Sequence, residues 1–505
     1  MLEGLQPDSH ECEDRRKQDE GKDDMTTSRG EVVEPARTTK VCRETEVLVV
    51  GGGPAGVAAA VAAARNGADT TLIERYNHLG GMATGGLVIL IPHMSAGTAE
   101  QEVAGVCQEI VDRLDAIGGA RHPERKQLGS ADPELTGRLK HYHDFVVRGR
   151  VRMSVIVDPE LLKCVLNDMI EEAGVKLFLH SWGSRALSDG NKVEGAVFES
   201  KSGRQAILSK LTIDTTGDGD IFASAGAEFD GAIDHNLRSG MLAVVFRLGG
   251  VDYLKYSTFR HTDPEALQKI QAEMRAIGGF PLLALATHRD DQVWVNNWVP
   301  GNDCLNVEHL TGAEVKVRKV MLKTLELLRK QMPGFAQSYI LDTASQIGTR
   351  GSRRLRGEYV VTLDDVRAGT VFPDTIAAVP PYAENISETI RNKCIPYRAL
   401  VPVSMENLLA AGRCFSSDVE ANDLLNLIPF CVQMGEAAGT AAALALKNHT
   451  SPRLVSYQAL QKRLLEQGAW LPKEVRPGED TAKGATVEQG VEEERASLLG
   501  AESLH

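Results

Sequence analysis

Between residues 45 and 73 the pattern of apolar and polar positions changes in a fixed order. Thr45-Glu46-Val47-Leu48-Val49-Val50 is a short apolar run that predicts a buried strand. Gly51-Gly52-Gly53-Pro54-Ala55-Gly56 turns it, an alanine-rich stretch from Val57 to about Arg65 predicts a helix, and Asp69 to Ile73 predicts a second strand. A further helix is predicted where Asp158-Pro159-Glu160 precedes Leu161, Leu162, Val165, Leu166, Met169 and Ile170, with Gly174 as its stop. Val175 to Leu179 then reads as a strand. The runs 182–187, 192–200 and 204–214, with a turn at Ser188-Asp189-Gly190-Asn191, read as a small meander. This order implies a parallel α/β sheet carrying insertions rather than separate all-α and all-β domains. Residues 1–43 and 473–505 lack either periodicity and are expected to be disordered tails.

Composition narrows the class. The 505 residues are 42% apolar and 25% charged, as expected for a folded chain of two or three domains with room to enclose a large cofactor. A net charge of −13 argues against a nucleic-acid partner, which selects for surplus Lys and Arg. No apolar run approaches the roughly 20 residues of a membrane span, and the first residues have no signal-peptide core, so a cytoplasmic protein is expected. Eight cysteines without a C-x-x-C pair or zinc-ligand spacing predict no metal, no cluster and no disulfide.

The chemistry lies at the first turn. Strand, G-x-G-x-x-G and helix form the dinucleotide-binding fingerprint. Gly51 permits the tight turn, Gly53 lets a pyrophosphate approach the backbone, and Gly56 lets the helix pack on the strand; Pro54 and Ala55, in the turn between them, are expected to bind the cofactor too. Glu74 ends the second strand 23 residues beyond Gly51, at the place of an acid that binds a ribose hydroxyl. These parts alone fit NAD or FAD. The stretch after them, Glu74-Arg75-Tyr76-Asn77-His78-Leu79-Gly80-Gly81-Met82-Ala83-Thr84-Gly85-Gly86, puts two glycine pairs where a longer cofactor needs close backbone approach, which favours FAD.

With these motifs the chain resembles, over about 45–450, the FAD-dependent oxidoreductases that share a flavin domain with the glutathione reductase and fumarate reductase flavoproteins. The resemblance implies an α/β fold: a Rossmann-like FAD-binding domain of glutathione-reductase type over 44–95, 150–225 and 390–450. An interleaved substrate or cap domain would occupy 96–149 and 226–389, and a C-terminal helix 451–472. It also implies that the glycine-rich segment, with Arg75, Gly80, Gly81, Met82 and Thr84, runs from the adenosine ribose toward the flavin. Ile213 to Asp220 would return to the cofactor at Thr216, Gly217 and Asp218. Asn407 to Arg413, with Gly412, would form the closing strand, and Pro429 to Gly439, with Gly435 and Ala438, the flavin-facing helix. The spacing of Asp214 to Asp220 does not match an EF-hand loop. This chain departs from relatives in having no paired redox cysteines, and Asn422 and Asn426 stand where the family often has a His and an Arg.

Flavin carries the redox step, so the protein need supply only orientation, a proton acceptor and control of access. Tyr397 and Arg398, in a segment Asn392 to Leu400 that resembles the stretch before the closing strand, are candidates for proton transfer and for polarising a carbonyl or anchoring a carboxylate, with a structural pair as the alternative; His93 is a candidate base. Arg350, Arg353, Arg354 and Arg356 form a basic cluster open to an anionic substrate, the FAD phosphates or solvent. The expected reaction is hydride transfer between a small-molecule substrate and flavin N5, as a dehydrogenase or oxidase. A flavin monooxygenase and an electron-transfer subunit are the rival readings. The sequence names neither the electron acceptor nor the oligomeric state, and a homo-oligomer stays open. No second strand followed by G-x-G-x-x-G occurs after residue 100, so no dedicated NAD(P)H domain is expected.

Overall fold

The computed structural model describes residues 27–28, 31–32, 34, 36–379 and 393–476. Contacts divide the chain into Met1–Lys40 and Val41–His505. In the first unit Thr27–Ser28 pairs antiparallel with Glu31–Val32. Everything that follows concerns the second.

The alternation read from the sequence appears as β1 (Lys40–Val50), α1 (Pro54–Arg65) and β2 (Thr70–Ile73), followed later by α2 (Pro159–Glu172) and β3 (Lys176–Phe178). Asp158 caps α2 by accepting the Glu160 and Leu161 amides at 2.8 and 3.2 Å. The meander is β4 (Trp182–Asp189), β5 (Lys192–Ser200) and β6 (Gly203–Asp214). These strands make one seven-stranded sheet in the order β3-β2-β1-β6-β5-β4, with Leu408–Ala410 pairing in parallel with the C-terminal end of β6. Pairing of β1 with β2 and of β2 with β3 is parallel, and the meander is antiparallel. The core of the fold is thus a mixed α/β sheet with parallel strands at its centre.

One boundary moves. The predicted tail reached residue 43, but β1 begins at Lys40, because Arg43 is held by the neighbouring strand through Thr71 Oγ1 at 2.8 Å and Asp69 at 2.6 Å. Lys473–Val475 likewise forms a short 3₁₀ turn. Most of both predicted tails, and residues 390–392 of the predicted third flavin segment, including Asn392, lie outside the described residues.

A second, antiparallel sheet is built from β7 (Phe246–Gly249), β8 (Leu282–Ala286), β9 (Gln292–Asn297) and β10 (Tyr339–Thr343), in the order β8-β9-β7-β10. Leu285 lies opposite Trp294, and Leu283 opposite Asn296. Because side chains alternate along a strand, these four share one face.

The strand Leu408–Ala410 (β11) leads to a 20-residue helix, α3 (Ile428–Lys447), buried along most of its length. It packs against α1 at backbone contact. A Cβ on Gly435 would lie 2.1 Å from the Ala55 carbonyl oxygen, and one on Gly439 would lie 2.1 Å from that of Ala59. The two contacts advance together along both helices, so α1 and α3 run in the same direction. Among the described residues no single helix is long and apolar enough to cross a membrane; Val419–Leu425 and α3 reach that length only when joined across a 97° bend.

Gly439→Ala is expected to force the two helices apart, since the group it would strike is backbone that cannot rotate away. The cost of such overpacking is roughly 1–3 kcal/mol, and it should appear as a lowered melting temperature in thermal denaturation. An unchanged value would show that the helix pair tolerates wider spacing.

Candidate functional site

A cleft enclosing about 1750 Å³ of empty space, its open mouth included, runs along the C-terminal ends of β1 and β2, past the N-termini of α1 and α3, and under the shared face of β8 and β9. Its floor is set by local chemistry. The Gly51 amide donates to Ile73 O and the Thr215 amide to Val50 O, both at 2.9 Å, which ties the turn after β1 to β2 and to the end of β6. Gly51 has φ +103°, a conformation that side chains resist. Above Gly53 a built Cβ would meet nothing within 4 Å. That open space beside the first turn of α1 is the cradle a pyrophosphate requires.

Glu74 is buried at the end of β2, where it accepts the Gly52 amide at 2.6 Å and the Tyr76 amide at 2.8 Å. Both oxygens are thus fixed by backbone while the side chain still borders the cleft. The turn after β6 is organised from beneath by Asp214, which accepts the amides of Thr216, Ile221 and Phe222 at 2.9–3.0 Å; burial pushes its carboxyl up to about 6.

Of the residues expected to hold the cofactor, Gly51, Gly53, Pro54, Ala55, Glu74, Arg75, Gly81, Met82, Thr216, Gly217 and Gly412 border the cleft. Six others stand behind it. Gly56 lies against the Gly51 carbonyl, Gly80 against Thr84, and Gly435 against Ala55, each where a side chain would collide. Thr84 is fully buried and donates to Leu79 O at 2.6 Å, and Ala438 is fully buried within α3. Asp218 pairs with Arg413 and accepts the Ser352 hydroxyl at 2.7 Å. Burial alone would raise the Asp218 carboxyl, but the Arg413 guanidinium and the Ser352 hydroxyl hold it below its ordinary value. Asp218 therefore positions Arg413, which does border the cleft, rather than facing it.

The catalytic candidates separate. Tyr397 is buried and donates to Pro452 O at 2.8 Å. Arg398 forms a fork on Asp374 at 3.0 and 3.1 Å and lies 5.1 Å from the Tyr359 ring centre. Neither borders the cleft, which corrects the expectation that closeness in sequence to the closing strand would bring them to the flavin. His93 does border it. Its backbone is left-handed, with φ +61°, and its amide donates to Ser154 Oγ at 3.0 Å. Asp144, also left-handed at φ +67°, has Oδ2 3.6 Å from His93 Nε2, within ion-pair range but beyond a hydrogen bond. The same oxygen accepts the Ser154 hydroxyl at 2.6 Å and sits 3.2 Å from Arg152. Burial pushes the Asp144 carboxyl up to about 7 against the downward pull of the Ser154 hydrogen bond.

Several bordering residues had no signal in the sequence. Leu283, Leu285, Trp294 and Asn296 come from the shared face of β8 and β9, and Trp298 follows them. Arg238 donates to Asp423 O and lies 3.4 Å from Asp423 Oδ2. Of the arginine cluster, Arg350 borders the cleft, Arg353 pairs with Asp220 at 2.9 Å, Arg354 pairs with Asp230 at 2.8 Å, and Arg356 is exposed. Asn426 borders the cleft and donates to Arg350 O at 3.0 Å, while Asn422 donates to Arg413 O at 2.8 Å. Cys431, in the first turn of α3, borders the cleft, and burial pushes its thiol up to about 12. Among the described residues no group of three or more His, Cys, Asp or Glu side chains could hold a metal ion.

A sheet with parallel strands at its centre, a glycine turn over an open cradle and an acid at the end of the second strand define a dinucleotide-binding protein. The family model for FAD dependent oxidoreductases matches residues 46–464, and the chain belongs to that family. It is an enzyme and its cofactor is FAD. The fold is also similar to two solved structures. One is a geranylgeranyl bacteriochlorophyll reductase-like protein from Thermoplasma acidophilum, at 14% identity over 85% of this chain and 84% of that one, with a TM-score of 0.42. The other is p-nitrophenol 4-monooxygenase from Pseudomonas putida, at 12% identity over 83% of each chain, with a TM-score of 0.45.

Glu74→Arg is expected to weaken FAD binding, because a buried acceptor becomes a bulky donor that also releases the Gly52 and Tyr76 amides. The measurement is flavin content after purification together with fluorescence titration of the apoprotein. Unaltered affinity would remove Glu74 from the ribose site.

Proposed function

We propose that the protein is a dehydrogenase or oxidase that withdraws hydride from a small organic substrate while His93 takes up the accompanying proton. The observation that carries this reading is the paired, left-handed placement of His93 and Asp144 at the cleft. Strained backbone is retained where the side chain is needed in one position. Bound FAD supplies the two-electron acceptor.

Gly53 and Ala55 are suited to hold the pyrophosphate, Glu74 the ribose, and Leu427 and Ile428 at the start of α3 the flavin end, where a helix N-terminus favours negative charge. The sheet of β7 to β10 serves as the substrate-covering part, with its apolar face excluding water. As the substrate carbon gives up hydride, its hydroxyl or amine loses a proton, and the His93 imidazole accepts it. Asp144, held by Ser154 and Arg152, orients the ring and offsets the charge it gains. Substrate, hydride acceptor and base then account for both electrons and the proton; oxygen or another carrier would take the electrons on.

His93→Gln and Asp144→Asn should each slow anaerobic bleaching of the flavin by substrate about 10²-fold or more, with FAD content unchanged. The pH dependence has a definite sign. Asp144 is neutral below about 7 and charged above it, so the bleaching rate should rise with pH through that region, and Asp144→Asn should lessen the rise. Wild-type rates in both variants would remove the pair from the reaction.

NADH and NADPH should reduce the flavin slowly or not at all in stopped-flow mixing. Rapid reduction by either would favour the monooxygenase reading instead.

A further inference from the structure

Near the start of α3 the guanidinium groups that border the cleft outnumber the carboxylates paired with them. Three guanidinium groups border it near the start of α3: Arg238, Arg350 and Arg413. Arg413 is paired with Asp218 and Arg238 with Asp423. Among the described residues, no carboxylate lies within ion-pair distance of Arg350. Its side chain donates to a neutral acceptor, Asn296 Oδ1, at 3.0 Å, and its guanidinium lies 5.9 Å from the Trp298 ring centre. Arg350 Nε is buried without a hydrogen-bond partner, and so is the Trp298 indole N–H.

Arg350 is half-buried with its Nε enclosed; a guanidinium partly taken from water without a paired carboxylate is disfavoured, and buried N–H groups are normally satisfied. Burial, together with the neighbouring cations Arg238 and Arg413 and against the upward pull of Asp423, draws the Arg350 guanidinium down to about 9, so on balance its surroundings favour the arrival of an anion. The surfaces beside it are apolar: Leu283, Leu285 and Trp294 on the face of β8 and β9. A planar fork beside aromatic and aliphatic walls suits a carboxylate attached to an apolar body.

We propose that this part of the cleft is a carboxylate subsite, in which Arg350 receives the carboxylate of a small aromatic or aliphatic acid whose body lies against Trp294, Trp298, Leu283 and Leu285. The Trp298 N–H supplies a further donor. Binding of the acid requires only the cleft and the holoprotein; that the acid is the compound oxidised rests on the dehydrogenase reading given above. FAD also carries anionic groups, so the test separates the two sources of negative charge.

The oxidised holoprotein is titrated with benzoate, and separately with its neutral analogue benzamide, while the flavin absorbance is followed. Benzoate is expected to shift the spectrum saturably and to bind at least 10-fold more tightly than benzamide. Arg350→Gln should weaken benzoate by roughly 10–100-fold, the usual loss for a charge-assisted hydrogen bond, and should abolish the preference over benzamide with FAD content unchanged. Arg350→Lys, which keeps the charge without the fork, should retain part of the preference. The proposal is overturned by the absence of any benzoate response in the wild type, by equal binding of acid and amide, or by unaltered binding in Arg350→Gln. Loss of FAD from both variants overturns it as well and assigns the guanidinium to the dinucleotide. A wild type that binds benzoate through Arg350, yet is bleached by no carboxylic acid, supports the subsite and overturns the dehydrogenase reading alone.

Discussion

The contact between α1 and α3 is the constraint on which the site depends. Gly435 and Gly439 bring the second helix onto the carbonyl groups of Ala55 and Ala59, and no larger residue fits there. Because the helices run in the same direction, both N-termini open at the same end. Ile428 begins α3 seven residues before Gly435, whereas α1 begins one residue before Ala55. At about 1.5 Å per residue, α3 therefore starts roughly 9 Å beyond α1. Two positive helix ends are thus fixed at a set separation along one cleft. The first stands beside the open space over Gly53, and the second stands beside Asn426 and Arg350. A cofactor with a phosphate group at one end and a polar ring system at the other suits that spacing.

Charge reinforces the arrangement. The chain as a whole carries −13, yet the arginines along the cleft outnumber the carboxylates that pair with them. The carboxylates near the cleft are used as internal fasteners. Asp214 gathers the amides of the turn after β6, Asp218 fixes Arg413, and Asp144 braces His93. The surface facing a ligand is made of backbone amides, guanidinium groups and aromatic rings, with Glu74 and Asp144 as carboxylates that also border it.

The dinucleotide part was legible because its signals are local. Strand, glycine turn, helix and acid follow one another within thirty residues, and each has its own backbone requirement. The Asp158 cap was legible for the same reason. Tyr397 and Arg398 failed because nearness in sequence to a strand does not fix where a side chain faces. The 3₁₀ turn Tyr397–Leu400 sends one to the Pro452 carbonyl and the other to Asp374. Trp294 and Asn296 were missed for a related reason. Their alternation marks a strand face, but only the pairing of β9 with β8 and the stacking of sheets decide what that face covers. Glycines 435 and 439 are an intermediate case: a small-residue helix was visible, while its partner, α1, lies almost 400 residues away in the chain.

The sulfur chemistry of the cleft bears on how long the enzyme survives its own turnover. Thiols attack peroxides and quinones as thiolates, and a redox cofactor that discharges electrons to such molecules exposes nearby sulfur to them. Cys431 borders the cleft, but its thiol is pushed up to about 12 by burial, and it donates to Asn426 O at 3.5 Å. It therefore remains protonated throughout the physiological range. A cysteine kept as the neutral thiol is a weak nucleophile, so Cys431 serves as a small packing group at the start of α3.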